Sequence, residues 1–189
     1  MARLFLIRHG EPETGWGGAD ADPGLSDRGR AQAAAAAEAL AGQRALAVLT
    51  SPLRRCRETA APYLGATGVQ ALVEPAVSEV PTPPEVSDRR AWLQQNFPWR
   101  GGPSRNWSTL DPRLLAWRDS VLARIAAIAA DTAVFTHFIA INVVAGAALA
   151  SPHTIVCKPG FASITELEVG PGGLRLLRHG AEMREGEVR

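Results

Sequence analysis

Short apolar runs and longer amphipathic stretches alternate along the 189-residue chain. The apolar runs are typical of strands buried on both faces of a parallel sheet. They lie at residues 4–7, 45–50 and 132–136. The other stretches place apolar residues at helical spacing. They predict helices at about 26–42, 51–65, 112–128 and 139–149. Strands that alternate with helices predict an α/β fold, a three-layer α/β/α sandwich with a mostly parallel central sheet.

The end of the sequence has the pattern of an antiparallel hairpin. Residues 161–169 alternate between apolar and polar, turn residues follow at 171–173, and a second apolar run covers 174–177. We therefore predict a hairpin at one edge of the sheet. Its free edge could pair two subunits, which makes a homodimer one expectation for this chain.

Proline and tryptophan mark a change of composition between residues 75 and 112. Six of the 14 prolines lie between positions 75 and 103, with three of the five tryptophans nearby. We interpret 75–112 as an insertion that covers the functional site within a single domain, 1–189. Its tryptophans and arginines could line a lid suited to a sugar or aromatic phosphate, or to a second anionic group; the tryptophans could equally only pack the insertion onto the core. These residues are Arg89, Arg90, Trp92, Trp99, Arg100, Arg105 and Trp107.

Charge and cysteine content exclude several classes of protein. The formal net charge of +1 argues against nucleic acid or an anionic membrane as an obligate partner. Cys56 and Cys157 are too few for a disulfide framework and indicate free thiols in a reducing compartment. No signal-peptide pattern precedes the first strand, so we expect a cytoplasmic protein. The apolar stretch 133–150 fits a strand followed by a helix better than a membrane span of about 20 residues.

The first strand ends in the chemistry-bearing triplet Arg8, His9 and Gly10. The carboxyl ends of strands in open α/β sheets border the ligand crevice. A cation and an imidazole there, with a glycine that permits a sharp turn, suit an anion on which chemistry is done.

A second cationic pair opens the second predicted helix. Ser51 is a plausible N-cap with Pro52 at the first position, and Arg54 and Arg55 follow in the first turn. Cations there oppose the helix dipole unless an anion is bound. Arg54 can instead pair with Glu58, four residues on, and both arginines could be merely solvated.

Taken in order, these stretches resemble the motifs of the histidine phosphatase, or phosphoglycerate-mutase-like, superfamily, in its phosphatase branch. Residues 8–10 match its R-H-G motif, and the stretch from Ser51 to Arg55 closely resembles S-P-L-x-R. His137, which ends the strand 132–136, matches the family's second histidine, although Phe138 stands where the family often has glycine. The resemblance implies a phosphoglycerate-mutase-like fold and hydrolysis of a small phosphorylated metabolite, a phosphomonoester, through a phosphohistidine.

The resemblance also implies roles for these residues. His9 would be the nucleophile, and Arg8 and Arg55 would hold the oxygens of the transferring phosphoryl group. His137 would be a further donor, protonated beside that group. The family's acid phosphatase chemistry needs neither a metal nor a cofactor, and the sequence has no close His or Cys pair with metal-ligand spacing. A serine-hydrolase interpretation fails because no G-x-S-x-G elbow is present.

The general acid is the least well matched part of the motif set. The family carries its carboxylate in an L-x-E stretch between the arginine helix and the second histidine, and Val77-Ser78-Glu79 matches loosely, without the glycines that usually follow. We predict Glu79 as the proton donor. Its rivals are Glu74, Glu85 and Asp88.

Two histidines lie outside the predicted site. Arg178-His179-Gly180 repeats the opening triplet, but only nine residues follow, too few for a helix that would build a pocket, so we expect His179 to be exposed. His153, beside Pro152, is expected in a loop. Two other functions remain open: a mutase-type phosphotransferase, and a phospho-ligand binding module with little catalysis.

Overall fold

The computed structural model describes residues 1–14, 22–43, 46–103 and 105–183. A six-stranded sheet forms the centre of the molecule. Its strands are β1 (Ala2–Arg8), β2 (Ala47–Thr50), β3 (Ala71–Val73), β4 (Thr132–Thr136), β5 (Ile164–Gly170) and β6 (Gly173–Arg178). The helices are α1 (Asp27–Leu40), α2 (Arg54–Thr67), α3 (Arg89–Asn96), α4 (Pro112–Ala126) and α5 (Phe138–Ala148), with short 3-10 turns at Pro75–Val77 and Trp107–Thr109.

The sheet is parallel at its centre and antiparallel at one edge. Its strand order is β3-β2-β4-β1-β5-β6, and β3, β2, β4 and β1 run parallel to one another. The hairpin formed by β5 and β6 adds to β1 in the antiparallel sense, as the alternating pattern predicted. Parallel pairing aligns Arg8 with Thr136, so β1 and β4 end at the same edge of the sheet.

Alternate side chains of the central strands enter two separate cores. On β1, Leu4 and Leu6 pack towards α4, α5 and the 75–112 segment, whereas Phe5 and Ile7 pack towards α1 and α2. Both sets are almost completely buried, which explains why the run reads as continuously apolar. Helices therefore cover both faces of the sheet, which confirms the predicted three-layer α/β/α sandwich.

The 75–112 segment contributes to the first of these cores. Phe97, Trp99 and Trp107 are buried there, and Trp92 packs against them. Asp88 caps α3 by accepting a hydrogen bond of 2.9 Å from the Ala91 N–H. Most tryptophans of this segment therefore pack it against the domain. Of the two roles that the sequence left open for them, lining a lid or packing the insertion onto the core, this arrangement favours packing.

Several predicted boundaries shift. Helix α2 begins at Arg54, because Leu53 is its N-cap and has an extended backbone, and its C-cap is Gly68, whose φ of 70° is left-handed, so Gly65 lies inside the helix. Strand β5 begins at Ile164 because residues 160–163 form a tight turn. The predicted loop 11–24 and the predicted strand 45–50 lie partly outside the described residues. Among the described helices, none is long and apolar enough to cross a membrane.

Candidate active site

The ends of the three central parallel strands bring both predicted histidines together. His9 follows β1 and donates its backbone N–H to the Thr136 carbonyl at 3.0 Å, and the Ser51 N–H after β2 donates to the Phe135 carbonyl at 3.0 Å. The sheet register therefore places His9 beside His137, with their ring centroids 5.3 Å apart. Helices α2 and α5 start at this same edge, so two helix N-termini add positive potential there.

His9 is held as a neutral imidazole with one ring nitrogen unprotonated. Its Nδ1 lies 2.8 Å from the carbonyl oxygen of Gly10, which can only accept, so Nδ1 carries the proton. The lone pair is therefore on Nε2. Burial, and next the charges of Arg55 and Arg8, hold the pKa of His9 well below its ordinary value. The imidazole stays unprotonated at neutral pH.

His137 is the other buried imidazole, and its tautomer is the reverse. The Arg55 guanidinium can only donate, and its Nη2 lies 3.3 Å from Nδ1 of His137. The protonated Nε2 then donates to the Ser51 hydroxyl at 2.8 Å. Burial, followed by the charge of Arg55, holds the pKa of His137 well below its ordinary value. Its predicted protonation therefore depends on the negative charge of a phosphoryl group.

Arg8 is fixed in place by the turn before β5. Its Nη1 donates to the Pro159 carbonyl at 2.9 Å, and its guanidinium carbon lies 4.0 Å from the ring centroid of Phe161. The ring of Phe138 lies 5.2 Å away, so the residue that departs from the family's usual glycine packs near this arginine. Arg8 is almost fully buried and thus oriented by aromatic and backbone contacts.

The two arginines of α2 point in different directions. Arg55 faces the histidines, with its Nη1 3.8 Å from the Asp22 carboxylate. The half-exposed Arg54 instead pairs with Glu58 at 2.6 Å, which was the alternative predicted for it. The helix thus separates an inward arginine from a surface one.

Glu79 is a buried carboxylate near the start of α5, the helix that His137 caps. It is only 8% exposed, accepts a hydrogen bond of 3.0 Å from the Val80 N–H, and lies 3.5 Å from the Ile139 N–H at the start of α5. Burial raises the pKa of this carboxyl, and the Val80 N–H and the nearby arginine charges oppose the rise.

The three rival carboxylates have other roles. Glu74 pairs with Arg124 at 2.6 Å, Glu85 pairs with Arg113, and Asp88 caps α3. Each rival is therefore engaged in local structure, whereas Glu79 is held beside α5.

Comparison with known proteins identifies the family. Residues 4–182 match the model of the histidine phosphatase superfamily, branch 1. The chain belongs to this superfamily. It is 44% identical to the glucosyl-3-phosphoglycerate phosphatase of Mycolicibacterium vanbaalenii over 63 residues, which are 32% of this chain and 28% of that relative.

Solved structures show the same fold over nearly the whole histidine phosphatase domain. A native mycobacterial glucosyl-3-phosphoglycerate phosphatase is 24% identical, with a TM-score of 0.71, and covers 96% of this chain and 100% of that one. The structure of such an enzyme with VO3 has a TM-score of 0.72 at the same identity and coverage. The phosphoglycerate-mutase-like fold that the resemblance implied is therefore confirmed.

Three positions of this histidine phosphatase were missed by sequence reasoning. Ser51, predicted as a helix cap, instead accepts from His137, and its Oγ also accepts from the Leu53 N–H at 3.2 Å. Thr59 accepts from the Gly10 N–H at 2.9 Å and donates to the Arg55 carbonyl at 2.7 Å, so it ties the turn after β1 to α2. Phe161 packs against Arg8. Ser51 begins the S-P-L-x-R stretch, which was the available signal, whereas Thr59 lies four residues beyond Arg55 and Phe161 lies in a turn, so no motif marked either of them.

Other reactive groups do not join the site. The Cys56 thiol lies 3.3 Å from Nε2 of His137, but burial raises its pKa and keeps it protonated. His179 is exposed, as predicted, and His153 lies exposed in a loop. Within the part of the chain that the structure describes, no group of three His, Cys, Asp or Glu residues could hold a metal ion.

Proposed function

We propose that this protein is a phosphomonoesterase that transfers the phosphoryl group of a small phosphorylated metabolite to His9 and then to water. The observation that carries the proposal is the hydrogen bond between Nδ1 of His9 and the Gly10 carbonyl. It leaves the Nε2 lone pair available among two arginines and a second histidine. The names of the relatives, both sugar-phosphoglycerate phosphatases, support the same substrate class.

In the first step Nε2 of His9 attacks phosphorus in line with the ester oxygen. The N–P bond forms as the P–O bond breaks, and charge spreads over the equatorial oxygens. Arg8 and Arg55 would bind these oxygens, because each guanidinium presents a fork of N–H donors. Their effect would be greatest in the transition state, where this charge is largest.

His137 would act as a further donor to the phosphoryl group. Its Nδ1 faces Arg55, and Ser51 holds the opposite nitrogen. A phosphoryl dianion would offset the arginine charges that lower the pKa of His137. As the Arg55 guanidinium turns to the phosphoryl oxygens, Nδ1 would gain a proton from solvent and donate a hydrogen bond to one of these oxygens, while Ser51 keeps the ring oriented.

Glu79 would transfer the proton in both steps. Its raised pKa favours the protonated carboxyl that a general acid requires, and it would protonate the leaving alkoxide. The resulting carboxylate would accept a proton from the water that attacks the phosphohistidine and breaks the N–P bond. Because Glu79 comes from the 75–112 segment, that segment would cover the site as well as supply the acid.

Hydrolysis is favoured over the two alternative functions. A binding module gains support only if the acid is missing, and Glu79 is buried beside α5. A mutase must enclose an intermediate, and the relatives named above are phosphatases. The acid phosphatase mechanism proposed here needs no metal, since arginines, histidines and helix N-termini supply the positive charge.

The test is phosphate release from p-nitrophenyl phosphate in EDTA, combined with rapid quenching of the phosphoenzyme. We expect many turnovers without metal and an acid-labile phosphohistidine in the wild-type protein, and neither in His9→Ala. Phosphate or vanadate binding without turnover would favour the binding module. A bisphosphorylated product in place of free phosphate would favour the mutase.

A further inference from the structure

The peptide group between Gly10 and Glu11 connects the proposed nucleophile to helix α1. Its carbonyl oxygen, on Gly10, lies 2.8 Å from Nδ1 of His9, and this contact fixes the tautomer of the ring. Its N–H, on Glu11, donates to Oε1 of Gln32 at 2.8 Å. A continuous chain of hydrogen bonds therefore runs from the imidazole of His9, through one peptide plane, to the side-chain amide of Gln32.

Helix α1 lies in direct contact with this peptide. Gln32 is three residues after Gly29, which is about one turn of the helix, and a Cβ on Gly29 would clash with the Glu11 carbonyl. The same carbonyl accepts a hydrogen bond of 2.9 Å from the Ser26 N–H at the start of the helix. The half-buried Gln32 therefore stands on an element that is tied to the turn after β1.

The hydrogen bond from the Glu11 N–H makes the Gly10 carbonyl a better acceptor. Resonance joins the two ends of a peptide group, and hydrogen bonds in series polarise one another. The bond to Gln32 also holds the peptide plane, and with it the direction of the carbonyl. Both effects favour the tautomer of His9 that has its proton on Nδ1 and its lone pair on Nε2, the nitrogen that would attack phosphorus.

We infer that Gln32 is a positioning residue for phosphoryl transfer, because it keeps Nε2 of His9 unprotonated through the Gly10–Glu11 peptide. Without its side-chain oxygen, the Glu11 N–H loses its acceptor and the ring proton gains access to Nε2. Gln32 should therefore affect the formation of the phosphohistidine and not the binding of phosphate by the site arginines. This inference rests on the proposed function, since it assumes that Nε2 of His9 is the nucleophile.

The test compares two substitutions of Gln32. Methionine has nearly the same length but no oxygen acceptor, whereas glutamate keeps an acceptor oxygen. We expect Gln32→Met to lower kcat/KM for p-nitrophenyl phosphate about 3- to 10-fold, the effect of one neutral hydrogen bond. Nitrogen NMR should show part of the His9 proton population on Nε2 in this variant. Gln32→Glu should retain both the rate and the Nδ1 proton of the wild-type protein.

Binding of inorganic phosphate separates the positioning role from a general disturbance of the site. Phosphate needs the arginines but no lone pair on Nε2, so its affinity, measured by titration calorimetry, should not fall in Gln32→Met. Gln95→Met is the matched control: it makes the same substitution at an exposed position of α3 and should leave kcat/KM and the His9 tautomer unchanged. If Gln32→Met fails to fold, Gln32→Ala removes the same acceptor from a helix already rich in alanine.

Three results would overturn the inference. The first is that the variant without an acceptor, Gln32→Met or Gln32→Ala, keeps either the wild-type kcat/KM or the His9 proton on Nδ1. The second is that Gln32→Glu loses as much activity as Gln32→Met, and the third is that phosphate affinity falls in parallel with kcat/KM. Failure of the proposed function is distinct: it would appear as absent phosphate release in the wild-type protein, where the His9 tautomer would still test the role of Gln32.

Discussion

The triplet Arg-His-Gly occurs twice in this chain, and the two copies lie in contrasting surroundings. Both follow an apolar strand, β1 for Arg8-His9-Gly10 and β6 for Arg178-His179-Gly180. The first copy ends a central strand between β4 and β5, where two helices begin. The second ends the edge strand, and its arginine pairs with Glu166 on the surface.

The difference shows that neighbours, and not the triplet, create the chemistry. His9 is 1% exposed and its pKa is lowered by burial and by two arginine charges, whereas His179 is exposed. Arg8 packs on an aromatic ring, whereas the side chain of Arg178 is 66% exposed. A central parallel strand delivers its last residues to a crevice walled by helices, and an edge strand delivers them to solvent.

Replacing the histidine of each triplet by alanine should give the largest difference in activity between the two copies. His9→Ala removes the proposed nucleophile, so we expect kcat for p-nitrophenyl phosphate to fall at least about 10⁴-fold. His179→Ala should keep wild-type kcat and KM, because His179 contacts no part of the site. Steady-state phosphate release measures both variants, and circular dichroism checks their folding. Appreciable activity in His9→Ala would remove the basis of the proposed mechanism.

A proposed general acid, Glu79, accompanies the first triplet. Glu79→Gln should slow hydrolysis of an alkyl phosphate by about 10²–10⁴-fold, and of p-nitrophenyl phosphate much less, since nitrophenolate leaves without a proton. Because the protonated carboxyl is the active form and its pKa is raised above 4.5, wild-type kcat/KM should fall as pH rises through that raised value. This alkaline limb should be absent in Glu79→Gln. Glu85→Gln, at an exposed pair with Arg113, is the control; equal losses on both esters would point to another acid.

Lysine substitutions at Arg8 and Arg178 test whether positive charge alone is enough or whether the guanidinium geometry is also needed. Arg8→Lys keeps the positive charge but loses the guanidinium fork and its packing on Phe161, so we expect kcat/KM to fall about 10²–10³-fold. Arg178→Lys alters only a surface ion pair and should leave kinetics unchanged. If both lysine variants behaved alike in steady-state assays, charge alone would explain the function of Arg8.

The two glycines should differ in the free energy of unfolding. A Cβ on Gly10 would lie 2.6 Å from the backbone oxygen of Gly29 on α1, so Gly10→Ala should cost about 1–3 kcal/mol. A Cβ on Gly180 would lie 2.8 Å from the Ser163 hydroxyl and 3.0 Å from the Ser163 Cβ; these are side-chain atoms and the hydroxyl can rotate away, so Gly180→Ala should cost less than Gly10→Ala. Urea unfolding measures both. A larger loss at Gly180 would contradict this assignment of the close backbone contact.

The smallest expected effect concerns the protonation states of His9 and His137. Burial and arginine charges lower the pKa of His9 and of His137, so both rings should remain neutral as pH falls below 6.5. Nitrogen NMR shifts should show the proton of His9 on Nδ1 and that of His137 on Nε2. Vanadate should raise the pKa of His137 by opposing the charge of Arg55. A His137 ring that gains its proton above pH 6.5 without an anion would contradict these assignments.

Much of the site could be predicted because its residues sit at element boundaries. His9 and His137 directly follow buried strands, and Gly10 completes the Arg-His-Gly triplet. Arg55 lies in the first turn of α2, within the S-P-L-x-R stretch. Choosing Glu79 over Glu74, Glu85 and Asp88 was less direct, since all four lie in one irregular region. The structure distinguishes them by partners that are distant in sequence, such as Arg124 for Glu74 and Ile139 for Glu79.

The sequence by itself determined the layers, the parallel strands and the sites of chemistry, because apolar periodicity and strand ends are local properties. Tertiary structure alone decided which groups complete the site. Ser51 reaches His137 from 86 residues away, and Phe161 packs on Arg8 from the turn before β5. Tautomer and pKa likewise depend on burial and on charges from other elements. These contacts form only when β1, β2, β4 and β5 align, so no local pattern contains them.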